Sequence, residues 1–518
     1  MTAVNPTAYD EVAYPSYVYP QTHPDRLATL ATLFGMNPAA VEECRVLELG
    51  CGAGGNIVPM AFGLRGSRFV GIDLAEGAIS QGQEMIRALE LNNVTLQQLD
   101  LMALSTELGQ FDYIIAHGLF SWVPEVARDR ILAICRSHLA PQGVAYISYN
   151  AYPGSRLREI VRDIMLFHTK DTKTVAEKVG QSRAVIKWMA EAQNETNSYA
   201  TFLDEMNARL NKRDFGSIYH DELADINVPF YFHEFAKHAS EHGLQFLSEA
   251  DHFERSIDSG FSDEAVRQLD KLGEEDVLAR EQYLDFLKGR SFRQTLLCHH
   301  EVDLSRRNDA QRLRTLLVKS QVQPSSSAPD IKSKSVEEFR VKNGASAATN
   351  LPLSKASFLY LGQIYPRAVG LEELVLQARA LAGANETTLA EDTATLADVM
   401  LKTYEVGVVE LHMREPTYTI DPGDFPMASS IARLQLKQSN VITTLFHNSL
   451  RLEDELARQL LSLLDGTRDR SALIQELTRL IESDSRYASG EKEAILGALT
   501  TRLEQKLIEL GKLGLLVA

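Results

Sequence analysis

Three carboxylates and a cluster of glycines are spaced as a nucleotide site needs them. The run Val46-Leu47-Glu48-Leu49-Gly50-Cys51-Gly52-Ala53-Gly54-Gly55 starts as an apolar strand, turns through glycines and leads into a helix over 56–64. Such a turn lets backbone N–H groups approach a ligand closely. Alone the run is ambiguous. Gly50, Gly52 and Gly55 satisfy G-x-G-x-x-G, which suggests a dinucleotide, and a glycine-rich turn with no ligand reads the same. The next strand, 68–72, ends in Asp73, where an acid can hold both ribose hydroxyls. Asp100 follows Leu96-Gln97-Gln98-Leu99. A further carboxylate suits the exocyclic amine of adenine, and a nicotinamide site has no standard need for it.

These residues require a parallel sheet to hold them. Phe111-Asp112-Tyr113-Ile114-Ile115-Ala116-His117 reads as the next strand, followed by a helix over 128–139, a turn at Pro141-Gln142-Gly143 and a strand over 144–149. Glu48-Leu49-Gly50-Cys51-Gly52, Gly71-Ile72-Asp73, Gln98-Leu99-Asp100, Phe111-Asp112-Tyr113-Ile114-Ile115 and Leu139-Ala140-Pro141-Gln142-Gly143 resemble, in this order, the motifs of class I S-adenosylmethionine (SAM) methyltransferases. The resemblance implies a Rossmann-like seven-stranded α/β sheet and SAM as cofactor. It implies Glu48, Gly50, Cys51, Gly52, Asp73, Leu74, Asp100 and Leu101 as cofactor contacts, with Leu74 packing on adenine.

The remaining site residues come from position along the chain. The segment 9–26 is rich in tyrosine and proline and so is extended. In this enzyme class the segment before the first strand often closes over the methionine end of SAM. Tyr17, Tyr19 and His23 are the residues for such a lid, and packing of the arm onto the domain explains them equally well. His117 lies at the carboxyl end of a central strand, where open α/β sheets bind ligands. It is read as a cofactor contact in preference to a base. Ser121, Trp122 and Tyr149, with Tyr17, are the candidates for orienting the acceptor, and an apolar packing role suits Trp122 at least as well.

Composition narrows the class. The chain has 518 residues, 44% hydrophobic and 24% charged, which suits a soluble protein of two or three domains. The net charge of −17 argues against binding nucleic acid through phosphate neutralisation. Cys44, Cys51, Cys135 and Cys298 are scattered, which suits a reducing compartment and not a disulfide frame or a zinc site. Cys298-His299-His300-Glu301 is local and reads as structural, so no metal is expected. Residues 1–14 lack a basic start and an apolar run, and no window approaches a membrane span. The expectation is a cytoplasmic enzyme with neither nucleic acid nor inserted membrane as partner.

Beyond the first part of the core (1–155), apolar residues recur at helical spacing over 156–225, a helical insertion serving as lid, dimer surface or substrate platform. The sheet resumes over 226–303, where 244–250 and 292–298 read as its last two strands. Tyr219-His220-Asp221-Glu222-Leu223, Asn227-Val228-Pro229-Phe230-Tyr231-Phe232-His233-Glu234-Phe235 and Phe292-Arg293-Gln294-Thr295-Leu296-Leu297-Cys298 resemble a methyltransferase regulatory domain. With Thr22-His23-Pro24-Asp25-Arg26, the chain is similar to bacterial, rickettsial-type lysine methyltransferases of outer-membrane proteins. That resemblance implies lysine N-methylation, a protein substrate and a homodimer.

Residues 304–334, with the Pro- and Ser-rich 321–330, read as a linker. Residues 335–518 read as an α+β winged-helix-like accessory domain. Helices over 371–381 and 396–404 and a strand at 408–412 are taken as its helix–helix–strand pattern, and 463–474 with 510–516 resemble winged helices that grip peptides. As a separate unit, 335–518 is expected to be removable without loss of cofactor binding. Three functions stay open: a protein-lysine methyltransferase, a small-molecule methyltransferase, and a non-catalytic SAM-binding regulator. The intact acids weaken the third.

Overall fold

The computed structural model describes residue 12 and residues 17–194, 197–251, 260–306, 309–383, 388–483 and 497–518; most of the N-terminal segment 1–16 lies outside them. After α1 (Pro24–Leu33) the chain alternates strand and helix: β1 (Arg45–Leu49), α2 (Ile57–Gly63), β2 (Arg68–Asp73), α3 (Glu76–Ala88), β3 (Val94–Gln98), β4 (Phe111–Ala116), α4 (Glu125–His138) and β5 (Leu139–Asn150). The first five strands are parallel, with Leu47 opposite both Val70 and Ile114. The expected turn at 141–143 survives inside β5 as an irregularity: Phe111 pairs with Leu139, and the next paired residue, Tyr113, meets Val144.

The chain then leaves the sheet for α5 (Ser155–Thr169), α6 (Val175–Glu191), α7 (Ser198–Asn211) and α8 (Phe215–Glu222). These close on a small core of their own that includes Val161, Met165, Val179 and Ile186. Their outer faces leave Phe167 and Trp188 exposed. After α9 (Phe232–Glu241), β6 (Leu244–Glu249), α10 (Asp263–Glu275) and α11 (Val277–Lys288), β7 (Phe292–His299) slots antiparallel between β5 and β6. The sheet order is β3-β2-β1-β4-β5-β7-β6. The two late strands therefore complete seven, as the sequence implies.

Two readings of the second half need correction. The stretch expected as a linker holds β8 (Leu317–Lys319) and β9 (Gln323–Pro324), and Val318 and Val322 are buried. Next come β10 (Glu337–Arg340), β11 (Ser346–Thr349), α12 (Pro352–Ile364), β12 (Val369–Gly370), α13 (Leu371–Ala382), α14 (Leu389–Glu405) and β13 (Glu410–His412). β12 and β13 flank β8. Leu374, Leu396, Met400 and Leu411 share one continuous core with Leu27, Val46, Ile57 and Met60. The helix–helix–strand pattern at 371–412 is thus packed onto the α1–α2 side of the sheet and is not the winged helix. A second, self-contained core lies further on, in α15 (Ser430–Leu436), the hairpin β14 (Val441–Thr443) and β15 (Ser449–Arg451), α16 (Glu455–Leu463), α17 (Arg470–Ser483) and α18 (Leu499–Lys512).

Candidate functional site

The turn after β1 is built from left-handed backbone: φ is +72° at Gly50, +53° at Gly52 and +73° at Gly54. A side chain resists that region, which is why the turn is glycine-rich. The Gly52 N–H donates to Asp73 Oδ2 at 2.8 Å and the Ala75 N–H to Asp73 Oδ1 at 2.9 Å, so the carboxylate is aimed by backbone on both sides. A β-carbon at Gly52 would meet nothing within 4 Å; the turn faces open space. At Gly71 a β-carbon would lie 2.6 Å from Leu96 and 2.8 Å from Cys51 Sγ, so β2 passes close beneath the turn. Leu74 is an apolar side chain 38% exposed beside Asp73. Asp100 caps a short turn through Met102 N–H at 2.9 Å, with Leu101 half-buried next to it.

Glu48 is buried. Its Oε1 accepts from Asn56 Nδ2 at 2.7 Å, while Oε2, also buried, has no hydrogen-bond partner. Burial pushes its carboxyl up to about 8, against the pull of Asn56 and the Ile57 amide. An orphaned buried carboxylate oxygen, a glycine cradle with room for a ligand edge and an exposed leucine beside an acid fit, respectively, an ammonium, a ribose edge and a flat purine.

His117 follows directly on β4 and stands half-buried with its ring centroid 3.8 Å from that of Tyr19. Tyr146 donates its hydroxyl proton to Gln294 Oε1 at 2.9 Å, so its oxygen receives the His117 Nδ1–H at 2.8 Å. Nε2 of His117 is then the acceptor. Burial lowers the His117 pKa to about 3, so the ring is neutral at ordinary pH, and burial raises the Tyr19 hydroxyl to about 12.

Not every expected residue joins this cleft. Tyr17 is 38% exposed near the start of the described chain. His23 goes elsewhere: its Nδ1 accepts the Asp25 N–H at 3.1 Å as the cap of α1. Its ring faces His447 at 5.0 Å and lines a cavity of about 1130 Å³ between the sheet and the second half of the chain. Ser121 is fully buried, its hydroxyl accepting from Asn150 N–H at 2.9 Å, so it pins the loop to β5 and has no surface to offer an acceptor. Trp122 is half-buried. Tyr149 stacks on Phe235 at 4.2 Å in the core on the α4–α9 face.

The fault with Tyr149 is one of parity. Side chains alternate along a strand, and on β5 it is Tyr146 and Ser148 that share the face of His117: Ser148 Oγ accepts from the Gly118 N–H at 2.7 Å. Sequence reasoning also missed Asn56, Tyr146, Gln294 and His447. The register Ile115↔Tyr146 carries the signal for Tyr146, two residues before His117 on the same side. Away from the cleft, Asp129, His238 and His242 bring ligand-type atoms within 4.8 Å of one another, the two histidines standing four residues apart in the sequence. His238 Nε2 lies 2.6 Å from Asp129 Oδ1.

A glycine turn, Asp73 and Asp100 at the carboxyl ends of parallel strands, in a sheet of this order, define a class I SAM-dependent methyltransferase. Family profiles agree: residues 46–143 match a methyltransferase domain, 214–299 a predicted methyltransferase regulatory domain and 424–514 a PKMT C-terminal winged helix domain. Protein RP789 of Rickettsia prowazekii is 30% identical over 506 residues, 95% of this chain and 90% of that one. RP028 of the same organism is 35% identical over 244 residues, 47% of this chain and 98% of that one. PKMT2 from Rickettsia typhi, solved in complex with AdoHcy (S-adenosylhomocysteine), superposes with a TM-score of 0.87 at 27% identity, over 98% of this chain and 100% of that one. The chain belongs to the family of RP789, SAM-dependent methyltransferases that join a methyltransferase core, a regulatory domain and a PKMT winged helix.

Proposed function

We propose that the chain is a protein-lysine N-methyltransferase acting in the cytoplasm on polypeptides bound for the outer membrane. The observation that carries this is the end-to-end likeness to PKMT2 of Rickettsia typhi, with a PKMT winged helix at the same end of the chain. No helix among the described residues is long and apolar enough to cross a membrane. In a small-molecule methyltransferase the same accessory region would serve only as a dimer scaffold.

SAM supplies a methyl group made electrophilic by its sulfonium. The protein's part is to hold the cofactor, align the acceptor and exclude water. Glu48 Oε2 would take the methionine ammonium, Asp73 the ribose hydroxyls and Asp100 the adenine amine, with Leu74 and Leu101 offering apolar surface to the purine. A lysine amine has an unperturbed pKa of about 10.4 and must arrive neutral. The apolar faces of Tyr19 and Phe292 around His117 disfavour its charged form, and His117 Nε2 accepts one of its N–H groups. The exposed Phe167 and Trp188 of the helical insertion offer a surface for the expected homodimer.

The Glu48 assignment predicts a proton count. Below about 8 the free site holds Glu48 protonated. An ammonium against Oε2 favours the carboxylate, so binding at pH 7 expels a proton. Calorimetry of AdoHcy binding in buffers of different ionisation enthalpy is expected to show release of close to one proton at pH 7, falling as the pH rises and turning to uptake by pH 9.5, where the free ligand's own amine has lost its proton and must regain it to bind as an ammonium. A release that does not change with pH contradicts the assignment.

Tritiated SAM incubated with the enzyme and a fractionated bacterial extract tests the function. Label in acid-precipitated protein, enriched in outer-membrane precursors, is expected. Label confined to small molecules would replace the proposal with the small-molecule reading.

A further inference from the structure

We propose that the C-terminal winged helix controls cofactor affinity through His447, a positioning residue that holds Asn56 against Glu48. His447 sits at the tip of the β14–β15 hairpin, buried, in left-handed backbone with φ +56°. A β-carbon tolerates that region poorly, and such a conformation persists when its surroundings hold it. The tip is tied down: the Leu445 N–H donates to Gly514 O at 2.7 Å, and the His447 N–H to Thr444 O at 3.0 Å. From there the imidazole crosses to the sheet domain, with Nε2 3.1 Å from Asn56 Oδ1, across 391 positions of sequence.

Asn56 is a junction. Its Oδ1 also accepts the Tyr19 N–H at 3.0 Å, and its Nδ2 donates to Glu48 Oε1 at 2.7 Å and to Thr22 Oγ1 at 3.0 Å. The Tyr19 N–H, which can only donate, fixes Oδ1 as the atom facing it, so His447 must present Nε2–H to Oδ1. Burial and the nearby His23 hold the His447 ring neutral, which keeps that tautomer available. The chain His447–Asn56–Glu48 thus runs from the winged helix to a cofactor-site carboxylate with an orphaned buried oxygen. Asn56 also holds the Tyr19 backbone, whose ring lies against His117, so one side chain links both walls of the cleft.

The consequence is reciprocal. Whatever shifts the hairpin loosens Asn56 and weakens cofactor binding, and a bound cofactor strengthens the hairpin's seat by the same factor. A polypeptide gripped by the winged helix would then be felt at Glu48 without touching it. Residues 335–518 are accordingly not removable without loss at the cofactor site.

A double-mutant cycle on AdoHcy affinity, measured by calorimetry on the full chain, tests this. His447→Ala is expected to weaken binding about tenfold, and His447→Gly, which suits the left-handed backbone, by the same factor. His447→Gln places an amide N–H near Nε2 and is expected to bind within about threefold of the parent. In an Asn56→Ala background, itself weakened, His447→Ala is expected to add less than about twofold. Two results overturn the proposal: His447→Ala binding AdoHcy like the parent while Asn56→Ala is weakened, or His447→Ala costing the same factor in both backgrounds. Because it rests on Glu48 as a cofactor contact, Asn56→Ala binding at parental affinity would overturn that assignment and the proposal together.

Discussion

Asp73→Ala is expected to lower the affinity for AdoHcy by at least about a hundredfold. Asp73 does two jobs with one carboxylate. It receives the Gly52 and Ala75 amides, which hold the glycine turn in its left-handed shape. It also has oxygen lone pairs left for the two hydroxyls of a ribose. Hydrogen bonds to a charged group contribute roughly 1.5–3 kcal/mol each, so two lost ligand bonds alone amount to about 3–6 kcal/mol. The unpaired Gly52 amide then costs turn geometry besides. Asp73→Asn keeps one acceptor oxygen and is expected to lose about tenfold. Calorimetric titration reads both, and an Asp73→Ala variant of unchanged affinity would remove Asp73 from the site.

The second large effect lies beneath the cleft. Arg293 on β7 is fully buried and makes a two-pronged contact with Asp285, Nε to Oδ2 at 2.8 Å and Nη2 to Oδ1 at 2.9 Å. Nη1 reaches Glu249 Oε1 at 2.6 Å, Nη2 reaches Glu281 Oε2 at 3.2 Å, and the guanidinium lies 3.9 Å over the Phe232 ring. Burial lifts the Asp285 carboxyl to about 6 even with Arg293 beside it. Arg293→Met keeps the volume and removes the charge from among three buried acids. Stranding buried charges in this way costs about 3–5 kcal/mol. The chain has more than one core, so the loss is expected in the calorimetric transition of the sheet domain and not as one global midpoint. Gln294, next to Arg293, takes the Tyr146 hydroxyl that fixes the His117 tautomer, so the variant is also expected to loosen the cleft. A loss under about 1 kcal/mol would show that the cluster stabilises little.

How much of this was legible in the sequence follows from how local each feature is. The glycine turn, Asp73 and Asp100 are read directly, because a turn's φ values and a strand-end acid are properties of a few adjacent residues. The last two strands are legible for the same reason: 244–250 and 292–298 are apolar runs bounded by glycine or by helices. The face of Tyr149 is not legible, because an apolar run such as Val144-Ala145-Tyr146-Ile147-Ser148-Tyr149 shows no alternation and the face of each residue is set by its pairing with β4. The position of the winged helix is not legible, because helix, helix, strand is a generic pattern and the strands of its hairpin have three residues each, too few to carry a period. Ser121 and His23 carry polar groups that suit a site, yet the fold uses one to receive a β5 backbone amide and the other to cap α1. Asn56 and His447 meet only in the folded chain, and nothing near either in sequence announces the other.

The most direct measurement is the identity of the methylated residue. Protein labelled by this enzyme from tritiated SAM, hydrolysed to amino acids and separated by chromatography, is predicted to carry its label as N-methylated lysine, with Asp73→Ala enzyme transferring about a hundredfold less at subsaturating SAM. Label recovered in methylated arginine, in a base-labile methyl ester, or not in protein at all would contradict the account.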